Sequence, residues 1–201
     1  MLSPAAQAAS TAPTILVTGD SLSAAYGIPL EQGWVALLQK RLEQKGYPYT
    51  VVNTSVSGET TAGGLGRLGK ELQQYKPDLV IIELGANDGL RGLSLKQMHK
   101  NLQAMIEQSR AADAEVLLLG MRLPSNYGQA YTEQFHQTFK DVAEQTKVPL
   151  VPFLLEGIAL DRSMFQDDGV HPTAKAQPAL LERVWTKLEE MLQPTAQVAQ
   201  E

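Results

Sequence analysis

The sequence of 201 residues contains no cysteine. This absence excludes disulfide bonds, catalytic thiolates and cysteine-ligated zinc or iron–sulfur centres. No apolar stretch approaches the roughly 18 residues that a membrane-spanning helix needs, so we predict no integral membrane segment. Basic residues are in the minority, because 17 Lys and Arg stand against 22 Asp and Glu, for a net charge of -5. That balance argues against a nucleic acid or an anionic membrane surface as the main partner.

Hydrophobic residues make up 43% of the chain and charged residues 19%, which is enough apolar material for one domain with a real core. We place that domain at residues 14–192 and expect flexible segments at 1–13 and 193–201. Ala6, Gln7 and Ala8 resemble the end of a secretory signal peptide, although no basic or apolar region precedes them. The alternatives are the flexible N-terminus of a cytosolic protein and the remnant of a signal peptide. We favour the remnant, and therefore expect a periplasmic or secreted protein.

Strands and helices alternate along the whole chain. The strands are continuous apolar runs rather than alternating patterns, which predicts that both of their faces are buried. Such a pattern is typical of an α/β fold with a parallel sheet between layers of helices. The predicted strands cover 14–18, 49–53, 78–84, 115–119 and 148–153, and the predicted helices cover 30–45, 65–75, 95–106, 131–146 and 172–192, the last irregular near Pro178.

Polar, glycine-containing segments follow the first three predicted strands, at 19–23, 55–59 and 85–89. A fourth such segment, 167–172, precedes the last predicted helix. Ligands of open α/β sheets bind beyond the carboxyl ends of the strands. We therefore expect the functional site where these four segments meet.

Ser21 is the candidate nucleophile in the first of these segments. A serine on a tight turn from strand to helix exposes its hydroxyl group and its N–H at the rim of the sheet. A serine hydroxyl is a weak nucleophile until a neighbouring base activates it. The alternative is an ordinary turn or helix cap, a role in which serine is common.

The chain offers three histidines as that base. His99 and His136 lie inside predicted helices among polar neighbours, so we interpret both as solvated. His171 lies in a loop, three residues after Asp168 and four after Asp167. Either carboxylate could orient the imidazole and leave its second nitrogen facing the serine, as in a Ser-His-Asp triad. The alternative is that an aspartate caps the final helix and His171 is a surface residue.

Donors for an oxyanion are available at the same strand ends. Gly58 lets a reacting carbonyl approach its backbone N–H, and Asn87 offers a side-chain amide. Together with the N–H of Ser21 they would form a three-donor oxyanion hole. Each of the two residues alone is also explained by an ordinary turn.

A phosphate-binding glycine loop is the competing pattern. Gly64, Gly66 and Gly69 fit G-x-G-x-x-G, and residues 64–70 fit the start of a P-loop. However, the first glycine comes 11 residues after the predicted strand that ends at Asn53, and Glu71 stands where a P-loop needs Ser or Thr. We interpret the match as a glycine-rich helix start.

Taken together, these residues resemble the SGNH branch of the GDSL hydrolases. The resemblance rests on Gly19-Asp20-Ser21-Leu22, on Gly58, on Gly85-x-Asn87-Asp88 and on Asp168-x-x-His171. Residues 19–26, 84–92, 122–128 and 166–172 are similar to segments of the bacterial thioesterase I, lysophospholipase and arylesterase proteins. The likeness runs from about residue 14 to residue 192, and Ala86 is a small departure, since some members have glycine there.

The resemblance implies a three-layer α/β/α sandwich with a five-stranded parallel sheet, a flavodoxin-like arrangement. It also implies hydrolysis of small-molecule acyl esters and thioesters, including aryl esters and lysophospholipids, without a metal or other cofactor. The resemblance implies that Asp168, and not Asp167, is the partner of His171. It also implies that residues 89–94 form a mobile loop that closes on the acyl chain. We assign the acyl pocket to five residues, namely Leu90, Leu93, Leu123, Pro124 and Tyr127.

Two other functions compete with a serine esterase or thioesterase. A carbohydrate O-deacetylase would use the same scaffold, but the apolar loops 89–94 and 121–128 argue against it. So does the lack of an aromatic platform, since Trp34 and Trp185 lie in predicted helices. A non-catalytic ligand-binding domain would not need the complete set of triad and oxyanion residues. We expect a monomer.

Overall fold

The computed structural model describes residues 12–192 as one parallel sheet between helices. All strand pairs are parallel, and the spatial order is β2-β1-β3-β4-β5. The strands are β1 (Thr14–Gly19), β2 (Thr50–Asn53), β3 (Leu79–Glu83), β4 (Glu115–Leu119) and β5 (Leu150–Val151). The predicted fold class, a five-stranded parallel α/β sandwich, is confirmed.

Six α-helices accompany the strands within residues 12–192: α1 (Trp34–Gln44), α2 (Thr61–Tyr75), α3 (Ala86–Leu90), α4 (Leu95–Ala111), α5 (Gln129–Thr146) and α6 (Gln177–Leu188). Helix α1 packs against α6, while α4 packs between α2 and α5. Two layers of helices result because the crossovers are right-handed. The face on which a connecting helix packs then depends on the direction in which the chain steps across the sheet. Only the step from β1 to β2 runs in the opposite direction to the later steps.

The central strands carry the core, as continuous apolar runs predict. Every residue of β3 is buried, and β1 and β4 are buried beyond their first residues. The prediction of two buried faces is wrong for β2, whose four residues are partly or fully exposed. The reason is position, since β2 is an edge strand with one neighbour.

Three local predictions need correction. Helix α3 begins at Ala86, directly after β3, where the sequence suggested only a polar segment. Pro178 lies in the first turn of α6, a position that proline tolerates well, so it starts a regular helix and does not disturb one. His136 is 1% exposed in α5, with Nδ1 3.2 Å from the Met121 carbonyl, and burial lowers its pKa.

The ends of the chain were predicted to be flexible. Residues 1–11 and 193–201 lie outside the described part, so the expectation for 1–13 and 193–201 stays a prediction. Within residues 12–192, no helix is long and apolar enough to cross a membrane.

The glycine pattern that resembled a phosphate loop lies inside a helix. Gly64, Gly66 and Gly69 are all within α2, where Gly66 and Gly69 are exposed and Gly64 is buried. Gly64 faces the core, because a Cβ there would be 2.3 Å from Cδ1 of Leu84. The chain at these positions is helical, so it forms no loop that could surround a phosphate.

Gly120 provides a test of packing at the end of β4. A Cβ at this position would lie 2.5 Å from the Pro152 carbonyl oxygen, and rotation of a side chain cannot relieve a clash with backbone. We expect Gly120→Ala to lower the free energy of unfolding by about 1–3 kcal/mol, measured by urea denaturation. The matched control is Gly66→Ala, where a Cβ meets nothing within 4 Å. Its better helix propensity is expected to raise stability by about 0.5–1 kcal/mol, and equal stabilities of the two variants would contradict the assignment.

Candidate active site

Ser21 lies two residues after the end of β1, in a series of turns that covers residues 21–27. The Tyr26 N–H donates to the Ser21 carbonyl at 3.1 Å, and Ala25 adopts a left-handed conformation with φ 57°. The chain enters α1 only at Trp34, so the expected direct turn from strand to helix is wrong. The Ser21 side chain is half-buried at the carboxyl end of the sheet.

His171 reaches Ser21 from a loop 150 residues further along the chain. Its Nε2 lies 3.0 Å from the Ser21 Oγ, and its Nδ1 lies 2.7 Å from Oδ2 of Asp168. The imidazole therefore stands between a hydroxyl group and a carboxylate. His99 and His136 take no part in this contact.

Asp168 uses its two oxygens for different purposes. Oδ1 accepts from the backbone N–H groups of Val170 and His171, at 2.8 and 3.0 Å, and so closes the turn. Oδ2 accepts from the imidazole. These hydrogen bonds, first those of His171 and then that of Val170, lower the pKa of Asp168 to about 2. No hydrogen bond joins the side chain of Asp167, the competing carboxylate, to His171 within residues 12–192.

Arg162 fixes the loop that carries this pair. Its guanidinium donates to three successive carbonyls, those of Phe165, Gln166 and Asp167, at 2.6–2.9 Å. The backbone then returns antiparallel to itself, with a bridge between Phe165 and Pro172. A loop of this length gains a defined shape because its carbonyl groups have a common donor.

Gln166 connects the histidine loop to the serine turn. Its Nε2 donates to the carbonyls of Tyr26 and Pro172, at 2.8 and 3.1 Å. Gly27 leaves space for this amide, since a Cβ there would lie 2.1 Å from Oε1 of Gln166. The Tyr26 ring also lies against the His171 imidazole, with ring centroids 4.4 Å apart. Both contacts hold the imidazole beside the serine.

Gly58 lies in the turn after β2. The Glu59 N–H donates to the Val56 carbonyl at 3.1 Å, and Gly58 has φ 78°, a conformation that favours glycine. Within residues 12–192, neither the Gly58 N–H nor the Ser21 N–H donates to another group of the protein. Both groups are thus free to donate to a ligand.

Asn87 is the second residue of α3, directly after β3. Its Nδ2 donates to Oδ2 of Asp20 at 3.0 Å. An amide NH₂ group carries two hydrogens, so one remains for a ligand while the other is held. The next residue, Asp88, anchors α3 from behind, because its carboxylate accepts from the N–H and the hydroxyl group of Thr61.

Arg91 joins the segments of Gly58 and Asn87. Its Nη2 donates to the Gly58 carbonyl at 2.8 Å and lies 3.5 Å from Oδ1 of Asn87. The guanidinium therefore contacts a carbonyl oxygen in two of the three residues whose N–H groups are candidates for the oxyanion hole, Gly58 and Asn87. Sequence reasoning missed this residue, as it missed Arg162, Gln166 and Glu83. Arg91 and Gln166 lie inside the segments 84–92 and 166–172 that carry the family resemblance, and only this position could have pointed to them.

The five residues assigned to an acyl pocket separate into two groups. Leu123 is 8% exposed and belongs to the core, while Leu93, Pro124 and Tyr127 are exposed and Leu90 is half-buried. The Tyr127 hydroxyl group donates to the Leu90 carbonyl at 3.3 Å, which brings the loops after β3 and β4 together. Their role as an acyl pocket stays a prediction.

Comparisons with known proteins identify the family of this chain. Residues 17–178 match the GDSL-like lipase/acylhydrolase family, and this range includes all five candidate triad and oxyanion residues. The chain is 55% identical to "Esterase TesA" of Pseudomonas aeruginosa over 90% of each chain. The chain belongs to the GDSL-like lipase/acylhydrolase family.

Two further relatives of this family extend the comparison. "Thioesterase 1/protease 1/lysophospholipase L1" of Escherichia coli K12 is 42% identical, over 92% of this chain and 87% of the relative. The crystal structure of the psychrotrophic esterase EstA from Pseudoalteromonas sp., inhibited by monoethylphosphonate, superposes with a TM-score of 0.85 at 42% identity. That superposition covers 89% of this chain and 97% of EstA.

The contacts of the two neighbouring aspartates predict different effects of two matched substitutions. Asp168→Asn exchanges the acceptor of the imidazole N–H for an amide, which allows the wrong tautomer. We expect hydrolysis of a p-nitrophenyl ester to fall on the order of 10³–10⁴-fold. Asp167→Asn is the control and should cost less than about threefold, because the side chain of Asp167 does not contact the ring. The opposite order of activities would show that the wrong carboxylate has been chosen.

Proposed function

We propose that the chain is a serine esterase and thioesterase that hydrolyses short- to medium-chain acyl esters through a covalent acyl-enzyme. The observation that carries the proposal is the continuous series of contacts from the Ser21 Oγ through His171 to Asp168, at 3.0 and 2.7 Å. The series lies in a chain of the GDSL-like lipase/acylhydrolase family.

In the first step the Ser21 Oγ attacks the acyl carbonyl carbon, and Nε2 of His171 takes the hydroxyl proton. The imidazole becomes positively charged in this step. Asp168 stays ionised at every working pH, since its pKa is about 2, and so stabilises that charge and keeps the proton on Nδ1. The proton on Nε2 then passes to the departing alkoxide or thiolate, and Ser21 is left acylated.

The negative charge that develops on the carbonyl oxygen needs donors. The N–H groups of Ser21 and Gly58 have no partner among the described residues, and Asn87 has one amide hydrogen to spare. These are the three donors that we assign to the oxyanion. Donors held in place before the reaction are more effective than water, because they need no reorganisation.

Deacylation repeats the same proton movements. A water molecule gives a proton to Nε2 of His171 as its oxygen attacks the acyl carbon. The second tetrahedral intermediate then collapses, the ester bond to Oγ breaks, and Ser21 recovers its proton from the imidazole. The products are a carboxylic acid and the free enzyme.

The substrate class follows from the surroundings of Ser21 and from the relatives. Leu93, Tyr127 and Val56 are exposed apolar side chains on the loops that follow β3, β4 and β2. Exposed apolar groups at the same edge of the sheet as Ser21 suit an acyl chain. The names of the relatives, an esterase and a thioesterase/lysophospholipase, support ester and thioester bonds as the targets.

The remaining expectations are proposals of the same kind. A single chain supplies every group of the mechanism, so we propose a monomer that uses no metal or cofactor. Within residues 12–192, no three His, Asp or Glu side chains are grouped as a metal site requires. We place the enzyme in the periplasm or outside the cell, on the signal-like residues 6–8 and the family resemblance.

A panel of p-nitrophenyl esters from C2 to C16, together with one acyl-CoA and one acetylated sugar, tests the function. We expect the highest kcat/KM among short and medium esters, activity on the thioester and none on the sugar.

Ser21→Ala should lose several orders of magnitude in kcat, since it removes the nucleophile. A fluorophosphonate should add one phosphonyl group at Ser21. Labelling at Ser55 or Ser57, in the segment that follows β2, would overturn the proposal.

Asn87 tests the oxyanion hole. An oxyanion donor bonds better to the tetrahedral intermediate than to the substrate, so its loss lowers kcat and leaves KM nearly unchanged. We expect Asn87→Ala to lower kcat about 10²–10³-fold. Asn87→Asp should fall at least as far, because an ionised carboxylate repels the oxyanion. If Asn87→Asp keeps most of the wild-type kcat, Asn87 is not a donor.

A further inference from the structure

Glu83, the last residue of β3, is a buried carboxyl group behind the nucleophile turn that the proposed mechanism does not use. It is 1% exposed. Its Oε2 accepts from the Ser23 hydroxyl group at 2.8 Å and from the Asp20 N–H at 3.3 Å. Its Oε1 is buried without a hydrogen-bond partner among residues 12–192. Burying an ionised carboxylate with an unpartnered oxygen costs free energy, because its charge is desolvated. A protonated carboxyl group carries no charge and avoids this cost.

Gly19 leaves space for this carboxyl group. It lies opposite Glu83 in the register of β1 and β3. A Cβ on Gly19 would be 2.9 Å from Oε2 of Glu83 and 2.8 Å from Oγ of Ser23. The glycine that precedes the Asp20-Ser21 pair is therefore required by the carboxyl group that lies against it.

Asp20 connects Glu83 to the oxyanion donors. It is 1% exposed, and its Oδ2 accepts from Nδ2 of Asn87 at 3.0 Å. Its Oδ1 accepts from the N–H of Leu22 at 3.0 Å, so it also holds the turn around Ser21. The direction of the Asn87 amide thus depends on where the Asp20 carboxylate lies.

The surroundings of Asp20 and Glu83 disfavour a negative charge on both carboxyl groups at once. Burial raises the pKa of Glu83 well above its usual value, and the charge of Asp20 raises it further. Burial also raises the pKa of Asp20 to about 6, against the lowering effect of its hydrogen bonds with Leu22, Glu83 and Asn87 and of the His171 charge. Burial thus favours the neutral form of both groups, and the charge of Asp20 makes ionisation of Glu83 more costly still.

We propose that Glu83 is a positioning residue, a buried carboxyl group that holds the Asp20 N–H and the Ser23 hydroxyl group so that Asp20 directs the Asn87 amide toward the oxyanion. The proposal rests on the proposed function, since it assigns a role within the same oxyanion hole. Glu83 touches no substrate and acts through Asp20 and Asn87 in turn. Its loss therefore acts on the transition state and not on substrate binding.

A double-mutant cycle tests whether Glu83 acts through Asn87. The kcat and KM for a p-nitrophenyl ester are measured per active site, counted by fluorophosphonate labelling of Ser21. Glu83→Leu should lower kcat about 10- to 100-fold, within the cost of losing one oxyanion donor, and leave KM within threefold. In the Asn87→Ala background Glu83→Leu should cost less than threefold more, because the donor it positions is already gone. Glu83→Gln should restore most of the lost kcat, since its amide oxygen can accept from the Ser23 hydroxyl group and the Asp20 N–H as Oε2 of Glu83 does.

Thr146→Val, which removes a buried hydroxyl group at the far end of α5, is the matched control and should lower stability without lowering kcat. Two results would overturn the proposal. One is a double variant whose fold-loss in kcat equals the product of the fold-losses of Glu83→Leu and Asn87→Ala. The other is a Glu83→Gln variant whose kcat is as low as that of Glu83→Leu. Ester hydrolysis and Ser21 labelling by the wild-type protein test the proposed function separately, so the two failures are distinguishable.

A second measurement does not depend on whether Glu83→Leu folds. A carboxyl group whose pKa is raised by folding keeps its proton in the native state while the unfolded chain releases it. The wild type should therefore lose stability as pH rises above the ordinary pKa of glutamate. Glutamine does not titrate, so the urea midpoint of Glu83→Gln should gain on that of the wild type between pH 5 and pH 8. A constant difference across this range would show that Glu83 ionises normally and would overturn its role as a buried acid.

Discussion

Parallel pairing of β1 with both β2 and β3 brings the carboxyl ends of three strands side by side, and the rest of the site depends on this arrangement. Ser21, Gly58 and Asn87 each follow one of these strands within a few residues. Because the backbone of each strand is fixed by its neighbours, a short turn is enough to place each group. Only the base arrives from elsewhere, on the loop that Arg162 and Gln166 hold against the sheet.

Three carboxyl groups lie around this edge of the sheet, and their surroundings shift their pKa values in different directions. Asp168 lies in an exposed loop and accepts three hydrogen bonds from His171 and Val170, so its pKa falls to about 2. Asp20 and Glu83 lie behind Ser21, where burial raises the pKa of both. Desolvation and hydrogen bonding thus act in opposite directions on chemically similar groups a short distance apart. The charged form of Asp168 is thus favoured beside the imidazole, whereas burial favours the neutral form of Glu83.

Side chains that bridge segments give the site its rigidity. Arg91 joins the turn of Gly58 to α3, Asp20 joins α3 to the turn of Ser21, and the imidazole of His171 joins that turn to the last loop. A site assembled from four segments keeps its geometry only when the segments are tied to one another, since each turn alone is free to move. The mechanism that we propose needs this, because an oxyanion donor is effective only when it is placed in advance.

Much of this protein is determined by its sequence alone. Apolar runs that alternate with amphipathic helices predicted the parallel sheet, and polar segments after the strands indicated where Ser21, Gly58 and Asn87 would meet, because periodicity and strand ends are local properties. Spacing alone left Asp167 and Asp168 open, since either can reach an imidazole from a flexible turn; the fold puts Asp168 against the ring. The burial of His136, the exposure of β2 and the carboxyl pair of Asp20 and Glu83 were decided by the tertiary structure. These features depend on which residues, distant in the chain, exclude water from a given side chain, and no local pattern records that.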